Sequence, residues 1–450
     1  MKNILVLGAG LVARPLVTYL MNQPDFVVSV ASRTVKKAEE LVGNHSQGRA
    51  IALDVNDDAK LEELVAQTDL AVSLLPYTYH VKVARMCIKH KKHMVTTSYV
   101  SKDMASLDAE AKEAGIIILN EIGLDPGIDH MSAMKIIHQV QKNGGKITAF
   151  SSYCGGLPAP EANDNPFGYK FSWSPRGVLM AGKNNARFLK DDEIIEIPGK
   201  DLFDNYWTME VGSCGLLEGY PNRDSIPYKE TYGIEDTKTM FRGTFRNIGW
   251  CSIIKTFADL GMLLDTPDAS LGGLSYKEFM LKIAGASKDE NVKEAIAKKA
   301  GKDVDSPELG AMEWLGLFED AVIPEGTPLN PMDILCGLML AKMSYKEGER
   351  DMIILHHIFE AEYPEKGKKE DITATMIDYG IPNGDSSMAR TVSLPAAIGI
   401  KLILTGKITD IGVKIPVEPH IYEPVMAELE TMDIRMEEKF IESEMKAAVL

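Results

Sequence analysis

The feature that most restricts how this chain can fold lies at its N-terminus. A short apolar run, Ile4 to Leu7, leads into Gly8-Ala9-Gly10, then an apolar, helix-compatible segment ending near Met21, then a second strand-like run, Val27 to Ala31. A strand, a glycine turn, a helix and a second strand read as one βαβ unit with its two strands parallel. The turn has the form G-x-G-x-x-A from Gly8 to Ala13. Gly8 permits a tight turn, Gly10 lacks the Cβ that would keep a pyrophosphate from the backbone, and Ala13 lets the helix lie close on the sheet. The N-terminal N–H groups of that helix then point at phosphate. Glycine turns also join strands to helices for purely steric reasons. The position of this one, after a strand and before a helix, favours a dinucleotide site.

The tip of the second strand carries Ser32-Arg33-Thr34, followed by Lys36 and Lys37. A carboxylate there would hold a ribose 2′-hydroxyl and repel a 2′-phosphate. Arg33 instead offers a permanently charged planar fork suited to phosphate, with two hydroxyl donors beside it. The alternative is an ordinary solvated arginine. The missing acid and the surrounding donors favour NADP(H) over NAD(H).

Strand-like and helix-like segments alternate over the first part of the chain, as in a doubly wound fold. Strands are expected at Ile4–Leu7, Val27–Ala31, Ala50–Leu53, Ala71–Leu75, Met94–Thr96 and Ile116–Leu119, with helices at Asp57–Ala66, His80–His90 and Asp103–Ala114. Ligands of such a sheet gather at the carboxyl ends of its strands. Asp54-Val55, Leu75-Pro76, Thr97-Ser98-Tyr99 and the segment Glu121 to Pro126 are therefore expected on one rim with Gly8 and Arg33. Beyond residue 130 the pattern changes: a helix from Asp129, a strand at Ile147–Cys154, loops rich in Gly, Pro and aromatics to 250, helices over 255–345, and paired strands around Pro364-Glu365-Lys366-Gly367. Ala389 to Leu450 reads as helix, and the small residues Ala396-Ala397-Ile398-Gly399 suit docking on the first domain. The expected fold is α/β: a Rossmann-type doubly wound sheet with an inserted α+β substrate and dimerisation domain carrying a helical subdomain. The domains divide as 1–130, completed by C-terminal helices at about 388–450, and 131–387 with a helical insert at about 255–345.

Charge narrows the partners. The formal net charge of −16 argues against broad binding to nucleic acid or anionic membrane. The five widely spaced cysteines include no CxxC, so neither a disulfide framework nor a zinc ribbon is expected. No signal-peptide pattern and no apolar run long enough for a bilayer is seen, so the cytoplasm is the expected setting. There is no HExxH, GxSxG or GxxxxGK[ST], so neither a metal site nor hydrolase or kinase chemistry is expected.

Several residues remain as candidates for chemistry. Asp125 lies in a turn forced by Gly123, Pro126 and Gly127, where a carboxylate can bond a substrate amine or relay a proton; it can equally serve the next helix, and for Asp129 the helix cap is the favoured role. Cys154-Gly155-Gly156 ends a strand beside a loop, although a lone cysteine is usually a small core residue. Trp173-Ser174-Pro175-Arg176 can supply a wall and donors. Arg223, and Arg242 with Arg246 four residues apart, can bind carboxylates bidentately; if their segment is a strand, the last two share a face.

These segments together resemble one family. GAGLVARP, ASRT, VTTSYVS, NEIGLDPGIDHMSAM, YCGGLPAPEANDNPFGYKFSWSPRGVL and GTFRNIGW are similar to the saccharopine reductases, the NADP-dependent, L-glutamate-forming saccharopine dehydrogenases, over essentially the whole chain. That resemblance implies reduction by NADPH of the imine formed from L-glutamate and α-aminoadipate semialdehyde, giving saccharopine in lysine metabolism, and the reverse. It implies cofactor contacts from Gly8, Gly10, Leu11, Val12, Ser32, Arg33, Thr34, Asp54, Val55, Leu75, Thr97, Ser98, Leu124, Asp125 and Pro126. It implies substrate contacts from Ser98, Tyr99, Asp125, Ser174, Arg223, Thr244, Phe245 and Arg246. Asp125, Tyr99 and Cys154, in that order, are the candidates for handling protons, and a homodimer is the usual expectation. Two other readings stay open: an imine reductase of the carboxynorspermidine dehydrogenase type, and a non-catalytic NADPH-binding sensor.

Overall fold

The computed structural model describes residues 1–444. It contains two compact units, one formed by Met1–Ile147 with the chain from Ala361 onward, the other by Thr148–Glu360. The last residues of the expected C-terminal helices, 445–450, lie outside the described residues.

In the first unit, β1 (Lys2–Leu7), β2 (Phe26–Ser32), β3 (Gly48–Ala52), β4 (Leu70–Ser73), β5 (His93–Val95) and β6 (Ile117–Leu119) stand in the order 3-2-1-4-5-6, with every pairing parallel. All four residues of β4 and all three of β6 are buried, as in a sheet covered on both faces. This is the Rossmann-type doubly wound sheet. Strand and helix limits differ from the sequence expectation by one or two residues, the usual scatter at element ends. The helix expected over Asp103–Ala114 is two helices, Lys102–Ala105 and Asp108–Ala114, each with its own N-terminal turn.

The C-terminal part is less helical than the sequence suggests. Helices Ser387–Leu404 and Pro419–Glu430 are separated by a strand, Gly412–Lys414, which pairs parallel with β6 and adds a seventh strand to the sheet. Glu437–Glu444 is a strand antiparallel to β14 (Lys368–Tyr379). Its sequence, EEKFIESE, carries little intrinsic strand signal; pairing with β14 imposes the conformation, aided by Lys368 Nζ lying 2.9 Å from Glu442. Helix Ser387–Leu404 is long and apolar enough to cross a membrane by length and composition, with a mean hydropathy of 1.3, where the sequence reading saw no such run. It is mostly buried within the protein, the state of a core helix. It packs on helix Ala13–Met21, and Gly399 lies so close to Ile122 that an added Cβ would meet Ile122 Cδ1 at 2.7 Å.

The second unit is built on a mixed sheet. β7 (Lys146–Pro158), β8 (Ala186–Lys190), β9 (Glu193–Ile197), β10 (Trp207–Glu210), β11 (Leu216–Pro221), β12 (Thr239–Asn247) and β13 (Asp351–Tyr363) contribute to it, in the path order 10-11-12-7-13 with the β8–β9 hairpin attached to β12. Helices Trp250–Asp259, Tyr276–Ala284, Val292–Ala300, Pro307–Leu315 and Pro331–Lys342 form the helical subdomain. Most begin at a Ser or Asn whose side chain accepts a backbone N–H.

Candidate functional site

Parallel strands bring their carboxyl ends to one rim of the first unit. Gly8 has φ 112°, and a Cβ there would sit 2.9 Å from the Leu74 carbonyl oxygen, so only glycine fits. Around Gly10 nothing lies within 4 Å of the Cβ position, leaving the backbone open to a ligand. Leu11 is exposed, and Val12 is the N-cap of helix Ala13–Met21 without a capping side chain or an acid in the first turn. Ala13 N–H donates to the Gly10 carbonyl at 3.2 Å and Pro15 has no N–H, while the positive end of the helix dipole favours an anion here.

Ser32 ends β2, and Arg33 and Thr34 follow it exposed. Arg33 makes no hydrogen bond or ion pair among the described residues. Asp54 follows β3 and accepts from Asn56 N and Nδ2 at 2.9 and 3.0 Å, so one of its oxygens serves its own turn. Val55 and Leu75 are half-buried beyond β3 and β4. Thr97 and Ser98 leave β5, and Leu124, Asp125 and Pro126 follow β6.

Tyr99 Oη donates to Asp125 Oδ1 at 2.5 Å, joining two of the proposed proton-handling groups. The Asp125 turn closes because Gly127 adopts φ 150°; a Cβ there would lie 2.0 Å from the Gly123 carbonyl oxygen. Asp129 is not the helix cap expected from sequence. The N-cap of helix Ile128–Lys142 is Gly127, and Asp129, inside the first turn, accepts the Gly127 N–H at 2.6 Å and so braces the turn carrying Asp125.

His80 opens the helix expected over His80–His90, and nothing in its spacing marks it as a site residue. It is buried, with Nδ1 2.8 Å from Ser73 Oγ and Nε2 2.8 Å from Ser98 Oγ. Burial pushes its pKa down to about 4, and burial does the same to His356 in the second unit. Both are neutral when folded at pH 7, while an unfolded chain takes up their protons below about 6.5. Stability is therefore complete above that pH and is lost as pH falls toward 4. Each site is expected to cost roughly 2–3 kcal/mol across the window. Thermal melts from pH 7 to 4.5 check this, and replacing His80 by Asn should flatten part of the decline.

In the second unit the arginine segment is a strand, β12, so Arg242, Thr244 and Arg246 share one face. Phe245 faces the other way, stacked on Tyr153 with ring centroids 4.8 Å apart, and only its main chain is available on the arginine face. Cys154 on β7 is the register partner of Thr244, and it is not in a disulfide. Arg246 is 6% exposed, lies over the Tyr169 and Trp250 rings at 5.0 and 5.4 Å, and donates to the Phe245 carbonyl at 2.8 Å. Its Nε has no partner, and neither do the nearby Tyr169 Oη and Trp250 Nε1. Glu218 is its register partner on β11, yet the two Glu218 oxygens accept Gly249 and Cys251 N–H at 2.7 and 2.8 Å. Arg246 is thus a buried guanidinium without a counter-charge among the described residues.

The other second-unit candidates sit differently. Arg223 is exposed in the turn after β11, with φ 55°, next to the β12 start, where Asn222 N donates to the Arg242 carbonyl. Ser174 caps helix Pro175–Ala181 by accepting Gly177 N–H at 3.2 Å, and Arg176 is paired with Asp333 at 2.5 Å. Among the described residues no cluster of His, Cys, Asp and Glu could hold a metal ion.

Residues 4–119 match the family model for the saccharopine dehydrogenase NADP binding domain, and residues 123–434 that for the saccharopine dehydrogenase C-terminal domain. The saccharopine dehydrogenase [NADP(+), L-glutamate-forming] of Schizosaccharomyces pombe is 44% identical over 99% of this chain and 100% of its own length. The chain belongs to the saccharopine dehydrogenase family. Within this family it is also 39% identical to the mitochondrial alpha-aminoadipic semialdehyde synthase of Bos taurus, over 96% of this chain and 47% of that protein. The apo saccharopine dehydrogenase (L-Glu forming) of Saccharomyces cerevisiae superposes with a TM-score of 0.90 at 40% identity, covering 98% of this chain and all of that one. In this member of the saccharopine dehydrogenase family the NADP-binding match spans β1 to β6, and the second match begins at Gly123, inside the Asp125 turn.

Proposed function

We propose that this chain is an NADP(H)-dependent oxidoreductase of the CH–NH bond of L-saccharopine, interconverting it with L-glutamate and L-2-aminoadipate 6-semialdehyde through an imine, in lysine metabolism. The observation that carries the reading is Arg246. A buried guanidinium without a carboxylate partner is costly unless a ligand supplies the negative charge, and the substrate has three carboxylates. Arg223 flanks the start of the same strand. Arg242 and Arg246 lie four positions apart along the strand, about 13 Å, a span suited to an extended polycarboxylate.

The first-unit rim fits an NADP: open backbone at Gly10, a helix N-terminus without a capping side chain, and an unpaired Arg33 at the β2 tip for the 2′-phosphate. Gly8, Gly10, Leu11, Val12, Ser32, Arg33, Thr34, Asp54, Val55, Leu75, Thr97, Ser98, Leu124, Asp125 and Pro126 would hold it. When bound, NADP(H) exchanges a hydride with the carbon of the C–N bond. The chain itself orients its ligands and moves protons. Arg223, Arg246 and Ser174 hold carboxylates, Thr244 and the Phe245 main chain line the same binding face, and Ser98 serves both ligands. Asp125 accepts a proton from the nitrogen centre, with Tyr99 Oη completing the relay and Cys154 as a further candidate. The 131–387 segment is the substrate-binding domain in this reading, the protein is a cytoplasmic homodimer, and neither membrane nor nucleic acid is a partner.

Glutamate, α-aminoadipate semialdehyde and NADPH are expected to give loss of absorbance at the NADPH band. Consumption with diaminopropane and aspartate semialdehyde instead would favour the carboxynorspermidine type, and no consumption with either pair would favour a sensor. Asp125→Asn is expected to lower kcat about 10²-fold and to remove one step from the pH–rate profile. An unchanged profile would take Asp125 out of the role.

A further inference from the structure

We infer that Glu121 is a positioning residue for the Tyr99–Asp125 pair, with His130 as its anchor; this rests on the reading above, in which that pair handles protons. Glu121 brackets Tyr99 on both sides. Its backbone N–H donates to the Ser98 carbonyl at 3.2 Å, and its Oε1 accepts the Val100 N–H at 2.8 Å. Its other oxygen, Oε2, lies 2.7 Å from His130 Nε2, and His130 is fully buried on the helix that follows the Asp125 turn. Two segments therefore meet at this residue, just ahead of the turn carrying Asp125: the stretch carrying Ser98 and Tyr99, and the helix carrying His130.

The backbone supports the same assignment. Glu121 has φ 57°, a conformation unusual for a side chain of its size, and it is 6% exposed. Such outliers persist where the surrounding bonds over-determine them, and they gather at functional sites. Here the twist at Glu121 turns its carboxylate back toward the Tyr99 segment. A plain structural ion pair would need the charge of Glu121; a bracket needs its length.

Two substitutions separate these cases. Glu121→Gln keeps the reach, accepts from Val100 N–H and can donate its amide to His130. Glu121→Asp keeps the charge and tolerates positive φ, but is shorter by one methylene, about 1.5 Å. Gln is expected to stay within about fivefold of the parent kcat, and Asp to lose about 10²-fold, since a 1 Å misplacement costs that much. NADPH affinity, read by fluorescence titration, should hold in both. Should the Asp protein fail to fold, His130→Asn frees Glu121 Oε2, together with the 3.9 Å contact of His130 Nδ1 with Asp129 Oδ2, and is expected to lower kcat with NADPH affinity kept. Crystal structures give a reading that needs no turnover: Tyr99 Oη stays on Asp125 in the Gln protein and moves off it in the Asp protein. A parent without saccharopine turnover would sink the proposed function, with the crystal comparison still deciding the bracket. Asp as active as Gln, an unshifted Tyr99 in the Asp protein, or His130→Asn at full kcat would overturn it.

Discussion

Arg246→Leu is expected to lower kcat/KM for saccharopine by about 10³-fold while leaving the folded protein at least as heat-resistant as the parent. The first effect follows from a bidentate arginine–carboxylate contact. Each charge-assisted hydrogen bond is worth about 1.5–3 kcal/mol, two give roughly 3–6 kcal/mol, and every 1.4 kcal/mol is tenfold. The second follows from the surroundings. The side chain is buried between the Tyr169 and Trp250 rings and lacks a carboxylate partner, so leucine removes a desolvated charge and fills the space with apolar atoms. Arg246→Lys should recover little, because an ammonium cannot reproduce the planar fork. Kinetics alongside a melting curve check both halves. A variant that loses activity and stability together would mean that Arg246 serves the fold rather than the ligand.

Arg33→Asp is expected to lower kcat/KM with NADPH by about 10²–10³-fold and to raise it with NADH, narrowing or inverting the preference. Arg33 is exposed at the β2 tip and engages no other group of the described protein, so removing it disturbs no fold contact. The change withdraws a charge-assisted fork, worth about 1.5–3 kcal/mol, and sets a carboxylate against the 2′-phosphate while offering it to a ribose 2′-hydroxyl. The NADPH/NADH ratio of kcat/KM at fixed ionic strength is the measure. A ratio unchanged in Arg33→Asp would place the 2′-phosphate elsewhere.

Much of the first unit was legible because its signals are local. Ile4–Leu7, Gly8, Gly10 and Ala13 encode a strand, a turn and a helix within a few residues, and steric demands at a turn act at short range. The Asp125 turn was legible for the same reason, through Gly123, Pro126 and Gly127. The C-terminal strands were not. Gly412–Lys414 is three residues long, too short for any period, and Glu437–Glu444 is a strand only because β14 lies beside it. Asp129 was misplaced by two positions, since a cap and a first-turn acid look alike in sequence.

By itself the sequence determined the βαβ cofactor turn and the arginine in place of an acid at the β2 tip, because each depends on spacing along one stretch of chain; the common face of Arg242 and Arg246 was conditional on a strand that the structure supplied. Only the tertiary structure decided that both oxygens of Glu218 accept N–H groups at a helix start, leaving Arg246 without a counter-charge among the described residues, and that His80 and Glu121 reach across to Ser98 and Val100. Alternation along a strand says which residues share a face, but not which distant group will sit opposite them, and the energy of a buried charge or hydroxyl is set by that neighbour.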